Sequence, residues 1–320
     1  MRLATFNIEN LDLPPRAEHP IEVRARALRP MLERLDADIL CLQEVNGQHV
    51  PGQSARALAA LDQVIAGTPY ASYHRAATRS SRGEGVGDVH NLVTLSRYPL
   101  IGSEEVRQTL VTPLAWPALT AEPAGETVVQ FDRPLLVTTL DVAGVATTVV
   151  NVHLRAPIAA PITGQKLSAS TWRTTAGWAE GFFLSAMKRA QQALELRLLI
   201  DRLFDADPDR RIAIAGDFNA EDHDTALTLA VAAEEDTGNA ALAGRSLVVL
   251  DRALPADRRW TMRLAGRVEM PDHILVSPAL YAAFRDIEVF NEMLPDAASE
   301  AAPAGSSHAP LVATFDIDGA

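Results

Sequence analysis

This chain of 320 residues has almost no cysteine: Cys41 stands alone, inside the apolar run Ile39-Leu40-Cys41-Leu42. One thiol excludes an intramolecular disulfide and any zinc site built from cysteines, and its apolar setting reads as a buried structural position. No uninterrupted apolar stretch is long enough to cross a bilayer. Met1-Arg2 runs straight into an apolar segment, without the charged leader and apolar core of a secretion signal, so a cytoplasmic location is expected. Positive charge is short too: 29 Lys and Arg face 41 Asp and Glu, a formal net charge of −12. That balance argues against a sequence-blind grip on a nucleic-acid backbone, which draws most of its strength from Lys and Arg. It leaves room for a local basic strip, with Arg75, Arg79, Arg82 and Arg155 as candidates. Internal repeats and composition breaks are also missing, and a 48% hydrophobic content is ordinary for a globular chain. One domain over 1–320 is the expectation, with an insertion at about 155–183.

What the chain does have is a series of short apolar runs, each ending in a polar signature. Strands are expected over 3–8, 38–42, 70–76, 91–96, 247–250, 274–276, 287–290 and 311–317, with a hairpin of 135–140 and 145–152 turning at Ala143-Gly144. Helices are expected over 55–65, 184–204 and 225–233, and around Leu28, Met31, Leu32 and Leu35, where Pro30 should kink the helix or open a new first turn. The stretches 80–88 and 297–307, rich in Gly, Ser, Ala and Pro, read as loops. Strands outnumber helices and several sequence neighbours read as hairpins. The predicted fold class is therefore α+β: two mainly antiparallel sheets packed face to face with helices on their outer faces, a four-layer αββα sandwich.

The polar signatures are Asn7 in TFNIEN, Glu44 in LQEV, Asn151 and His153 in NVHL, Asp217 and Asn219 in GDFN, Asp272 in PDHILVS, and His308 in SHAP. Asn151 with His153, and Asp217 with Asn219, are two apart at strand ends, so in extended chain each pair shares one face. Gly-Asp-Phe-Asn is also well suited to an Asx turn. An imidazole such as His308 is matched to proton transfer near neutral pH, above all with a carboxylate behind it. His273 follows Asp272 and would point to the opposite face, a packing position.

In order and spacing these signatures resemble the endonuclease/exonuclease/phosphatase superfamily across nearly the whole chain. That group includes abasic-site endonucleases, pancreatic-type deoxyribonucleases, neutral sphingomyelinases and inositol polyphosphate phosphatases. The resemblance implies Glu44 as the principal ligand of Mg²⁺ or Mn²⁺, supported by Asn7, which suits a hard cation that takes carboxylate and amide oxygens. It implies Asp217 and Asn219 positioning the attacking water, His308 paired with Asp272 as proton acceptor, and His153 with Asn151 at the phosphate. His153 is usual in the deoxyribonuclease and sphingomyelinase branches and unusual in abasic-site enzymes. One departure stands out: the superfamily ends Ser-Asp-His-x-Pro, whereas this chain has Ser306-Ser307-His308-Ala309-Pro310 and so lacks a carboxylate that helps bind the metal.

Three functions stay open from the sequence: a metal-dependent phosphodiester hydrolase acting on nucleic acid, the same machinery acting on a phospholipid, inositol phosphate or small phosphoester, and a phosphate-binding pseudoenzyme resting on Ser307. Asn91, which with Asp88 and His90 precedes the run Leu92 to Ser96, is either a phosphate contact or a strand cap. Trp172 and Trp178, with Lys166, Arg173 and Lys188, form either a stacking flap for unpaired bases or an insertion packed on the domain.

Overall fold

The computed structural model describes residues 1–80, 84–298 and 303–317. Two six-stranded sheets dominate it. The first runs, edge to edge, Phe284–Val289, Leu311–Phe315, Arg2–Leu11, Ile39–Val45, Asn91–Ser96, His74–Ala77. The second runs Val248–Val249, Asp272–Val276, Arg211–Asp217, Val145–His153, Leu135–Val142, Leu100–Val106. Each sheet has one parallel pair: Arg2–Leu11 beside Ile39–Val45, and Arg211–Asp217 beside Val145–His153. All other pairings in both sheets are antiparallel.

Alternation along the central strands sorts side chains into layers. Leu3, Cys41, Val149, Ala213, Ile274 and Leu311 fill the space between the sheets. Ala4, Phe6, Leu40 and Leu42 point the other way, against Leu28, Leu32 and Leu61 of helices Ile21–Leu35 and Ala59–Ile65. Val150, Val152, Ile212 and Ile214 meet Leu196, Ile200 and Leu227 of helices Thr175–Ala206 and Thr225–Val231. The order is helix, sheet, sheet, helix, as expected. Each fully buried side chain of this kind contributes about 1.5–3 kcal/mol relative to exposure, so three continuous apolar clusters make a rigid platform.

The inner-face rows do not stay apolar. Leu3 is followed two residues on by Thr5 and then Asn7, Val149 by Asn151 and His153, and Ala213 by Ala215 and Asp217. Register carries these polar ends together: Asp217 lies opposite His153 on one side and Asp272 on the other.

Several expected elements differ. The long helix starts at Thr175, not 184, with the Thr174 hydroxyl accepting from Gly177 N at 2.9 Å as its cap. Its first turns hide their periodicity because they bury Glu180 and leave Trp178, Phe182 and Phe183 exposed. One unbroken helix runs through Pro30. A proline in a helix interior costs about 3 kcal/mol, which the buried row Leu28, Leu32 and Leu35 offsets. The 55–65 helix begins only at Ala59, because Ala57 pairs by backbone with Gln48.

The 70–76 strand is replaced by a 3₁₀ turn, Pro69–Ser72, and a short strand, His74–Ala77. Tyr70 is drawn inward there, donating to Leu32 O at 2.9 Å and accepting from Ala37 N at 3.0 Å. The 247–250 strand shortens to Val248–Val249 before a 3₁₀ turn. Two small hairpins, Leu114–Ala118 with Gly125–Val129 and Met262–Leu264 with Arg267–Glu269, and the edge strand Leu100–Val106 gave no clear alternation in sequence. Parts of the 80–88 and 297–307 loops lie outside the described residues, as does Arg82.

Candidate active site

The polar strand ends meet at one edge of the inter-sheet layer. Asn7 Nδ2 donates to Asp217 Oδ2 at 3.0 Å and to Glu44 Oε1 at 3.3 Å, so it ties the first sheet to the second. His153 Nε2 stands 3.4 Å from Asp217 Oδ2 and 3.7 Å from Glu44 Oε1. His308 Nδ1 lies 2.8 Å from Asp272 Oδ2, which also accepts from the Thr261 hydroxyl at 2.7 Å. Ligand atoms of Asp217, Asp272 and His308 all fall within 4.8 Å of one another.

Local backbone features put these groups there. Glu44 has φ 62, inside a register irregularity between Leu42 and Val45. Such a conformation costs a non-glycine residue about 1–3 kcal/mol, and it brings Glu44 to Asn7 and His153 although Gln43 before it already occupies the inner face. Asn10 N donates to Glu44 Oε2 at 3.0 Å and holds the carboxylate in place. Gly216 sits at φ 154, and a Cβ there would meet Val152 O at 2.0 Å, so only glycine lets the GDFN strand run this close to its parallel neighbour. Asp217 Oδ1 accepts from Asn219 N at 2.8 Å, the expected Asx turn.

Crowded carboxylates and burial shape the charges. Burial pushes Asp217 up, with the Asp272 charge adding to it, to about 7, against the opposing pull of His308 and of hydrogen bonds from Asn219 N and Asn7. For His308, burial disfavours the cation, but the charge and hydrogen bond of Asp272, with Asp217 and Glu44 beyond, raise it to about 10. Burial lowers His153 well below the ordinary histidine value, helped by Arg133, so it is neutral.

Not every named residue reaches the cluster in the same way. Asn151 spends its amide between the sheets, accepting from Gln43 Nε2 at 2.8 Å and donating to Leu42 O and Val93 O at 3.1 Å. Asn219 turns its Nδ2 to Leu154 O at 3.1 Å. Asn7 gives its oxygen to Glu9 N at 3.0 Å and presents its NH₂ to the carboxylates. Asn91 braces its loop, accepting from Gly87 N at 2.7 Å and donating to Val45 O at 2.8 Å. His273 faces away, between Asp251 at 3.1 Å and Ala220 O at 2.8 Å. Of the basic candidates, Arg75 pairs with Asp62 and Arg155 with Asp132, while Arg79 lines a cavity together with Arg56, Arg107 and Arg133. Trp172 packs under Lys166 Nζ at 4.4 Å from its ring, and exposed Trp178 stacks on Phe182.

Three residues that reach this region had no assigned role in the sequence. Glu9 Oε2 accepts from Ser307 N at 2.7 Å, beside the position that lacks the expected carboxylate. Its signal was proximity, two residues after Asn7 in the same signature. His90 Nδ1 stands 3.7 Å from Glu44 Oε2. Arg133 lies just before the Leu135–Val142 strand, close enough to Glu44 and Asp217 for their charges to act on it. Nothing in its Asp-Arg-Pro context marks it.

Asp272 Oδ1 is buried with no hydrogen-bond partner among the described residues. A spare carboxylate oxygen beside Asp217, with Glu44 across the hollow, is an oxygen-rich donor set that fits a hard divalent cation. No helix of the described residues is long and apolar enough to cross a membrane.

Comparison with known proteins gives a consistent result. The profile of the Endonuclease/Exonuclease/phosphatase family matches residues 4–292. None of the curated proteins matches. Among solved structures, an endonuclease/exonuclease/phosphatase family protein from Leptotrichia buccalis C-1013-b superposes with a TM-score of 0.57 at 15% identity, over 99% of this chain and 100% of that one. D. rerio TDP2 complexed with single strand DNA product gives 0.56 at 15%, over 99% of each chain. A 3′ phosphatase, NExo, from Neisseria, bound to a product DNA hairpin, gives 0.54 at 19%, over 99% and 100%. At these identities the structures speak for the fold, and the profile match decides membership. The chain belongs to the endonuclease/exonuclease/phosphatase family, whose members are hydrolases acting on phosphoester bonds.

Proposed function

We propose that this protein is a divalent-metal-dependent phosphodiesterase acting on nucleic acid. The observation that carries the reading is the His308–Asp272 pair, 2.8 Å apart, facing Asp217 with one Asp272 oxygen left unpartnered. Glu44, steadied by Asn7 and by Asn10 N, would hold the cation, with Asp217 and Asp272 at hand. A bound Mg²⁺ or Mn²⁺ would polarise the phosphate and cancel the pull of the carboxylates on the His308 proton.

His308 is oriented through Nδ1 by Asp272, which leaves Nε2 to take a proton from the attacking water. Asp217, fixed by Asn7 and Asn219 N, aligns that water. His153, neutral and buried, donates from Nε2 to the phosphate as charge builds on it. Asn151 holds the two sheets at the spacing this needs, through Gln43. Glu9 supplies a carboxylate at Ser307, which supports a working enzyme over the phosphate-binding pseudoenzyme. DNA in the TDP2 and NExo structures favours nucleic acid as substrate, a proposal that their fold likeness motivates.

The test is a hydrolysis panel with Mn²⁺: supercoiled plasmid, single-stranded DNA, RNA, sphingomyelin and bis-nitrophenyl phosphate, each beside Glu44→Ala. Cleavage of a nucleic acid, dependent on Mn²⁺ and absent in Glu44→Ala, is expected. Turnover of sphingomyelin alone would move the substrate to lipid, and full activity in Glu44→Ala would reject the metal assignment.

A further inference from the structure

A cavity of about 530 Å³ opens beside the cluster, with His90 in its wall and the Glu44 carboxylate 3.7 Å from that ring. Its size is that of a small-ligand pocket. Four arginines line it, Arg56, Arg79, Arg107 and Arg133, against three acids. Two of those acids are already neutralised. Asp88 is held by Arg16 and Arg56, both at 2.9 Å, and Asp132 by Lys188 at 3.1 Å and Arg155 at 3.6 Å. Arg16, Lys188 and Arg155 come from outside the lining, so the wall keeps a surplus of positive charge on a chain whose net charge is −12.

Arg133 is the telling residue. It makes no ion pair within 4.0 Å among the described residues. Its guanidinium has one hydrogen bond, Nη1 to Leu154 O at 3.4 Å, and its Nε is buried without a partner. A desolvated, under-bonded guanidinium is costly to keep unless something anionic completes it. Its planar fork matches the oxygens of a phosphate. Arg107 is only loosely engaged, 3.7 Å from Glu105.

We infer that this cavity is a subsite for a second phosphate of the substrate, neighbouring the scissile one, with Arg133 binding it from the inner wall and Arg79 and Arg107 from the rim. The inference rests on the phosphodiesterase reading and narrows it. The substrate is an ester with at least two phosphates close together along one chain, as in an oligonucleotide. A phosphocholine lipid, with one phosphate and a cationic headgroup, would set its positive charge against the arginines.

The test is equilibrium binding in EDTA, by calorimetry, of a thymidine dinucleotide and of the same dinucleotide carrying a 5′ or a 3′ terminal phosphate. One phosphorylated form should bind at least about tenfold more tightly than the plain dinucleotide, roughly the discrimination of one charge-assisted contact. Arg133→Gln should reduce that ratio to near one, and Arg107→Gln should reduce it in part. A ratio near one in the wild type, or an undiminished ratio in folded Arg133→Gln, would overturn the subsite. Should Arg133→Gln not fold, the Arg79→Gln/Arg107→Gln double variant decides by the same ratio. Binding without metal needs no turnover, so the two readings fail separately. A protein that shows the preference but cleaves nothing in the panel loses only the hydrolase reading.

Discussion

Asp272 and His273 are neighbours on one strand, and each belongs to a His–Asp pair, yet the pairs have opposite fates. His273, fully buried on the outer face, has both nitrogens engaged, by Asp251 at 3.1 Å and Ala220 O at 2.8 Å. Asp251 in turn gives its second oxygen to Arg259 at 3.1 Å. His308 is 12% exposed, bonded at Nδ1 only, and its partner Asp272 keeps a buried oxygen in reserve. Burial disfavours both cations and a facing carboxylate outweighs it in both. What separates a brace from a reactive group is therefore unspent bonding capacity at an open edge, a property of position rather than residue type.

The widest gap between the pairs should show in catalysis. His308→Ala is expected to lower kcat/KM by about 10²–10⁴-fold, a loss read on the folded fraction because the variant also gives up the stability of its pair with Asp272. His273→Ala should destabilise the protein while its folded fraction keeps kcat/KM close to wild type. It leaves Asp251 buried beside one arginine, and breaking a buried charged pair costs about 3–5 kcal/mol. Denaturant unfolding of both variants at pH 7 measures this. A loss of kcat/KM in folded His273→Ala as deep as that in His308→Ala would break the contrast.

The pairs also predict a pH signature, read in EDTA. His308 has a folded pKa above its ordinary 6.5, so its contribution to stability is complete below about 6.5 and is lost as pH rises towards about 10. Melting curves of wild type and His308→Gln should therefore converge on the alkaline side. A third buried charge gives the opposite sign. For Glu180 burial favours the neutral form, but hydrogen bonds from the Thr120 hydroxyl, Trp116 Nε1 and the amides of Leu119 and Thr120 hold it at about 2. Its contribution is present above 4.5 and lost as pH falls towards about 2. Glu180→Gln should cost about 1.5–3 kcal/mol at pH 7, a deficit that narrows below 4.5 and closes towards pH 2. A deficit undiminished at pH 2 would mean that shape, not charge, holds the 114–129 hairpin on the long helix.

How much of this was legible follows the same line. Period-two alternation was enough to put Asn151 and His153 on one face, and to turn His273 away from Asp272. Joining Asp272 to His308, 36 residues apart, took the family resemblance, because no local pattern links them. Glu44 was named by resemblance, but the backbone turn at φ 62 that aims it leaves no trace in a Leu-Gln-Glu-Val string. Arg133 was invisible, since an arginine before a strand usually reads as solvated surface. The helix start at Thr175 was missed because a buried glutamate and exposed aromatics invert the usual pattern.

The smallest effect expected concerns the neighbour of the open pair. Ser307 stands where the family pattern has a carboxylate, and its own N–H is bound by Glu9 Oε2 at 2.7 Å. Glu9 is held in turn by its loop, since Arg24 donates to Glu9 O at 2.8 Å and to Gly305 O at 2.6 Å, pinning both sides of the contact. If Glu9 already provides the negative charge, Ser307→Asp adds a second carboxylate to an occupied spot. Repulsion between the two then offsets most of the gain for the cation. Titration of Mn²⁺ by calorimetry should find Ser307→Asp within about threefold of wild type, and Glu9→Gln weaker by about tenfold, the scale of one charge-assisted contact. A large gain from Ser307→Asp with no loss from Glu9→Gln would mean that the open pair works beside a truly missing ligand, and that its spare capacity is wider than the geometry around Asp272 alone implies.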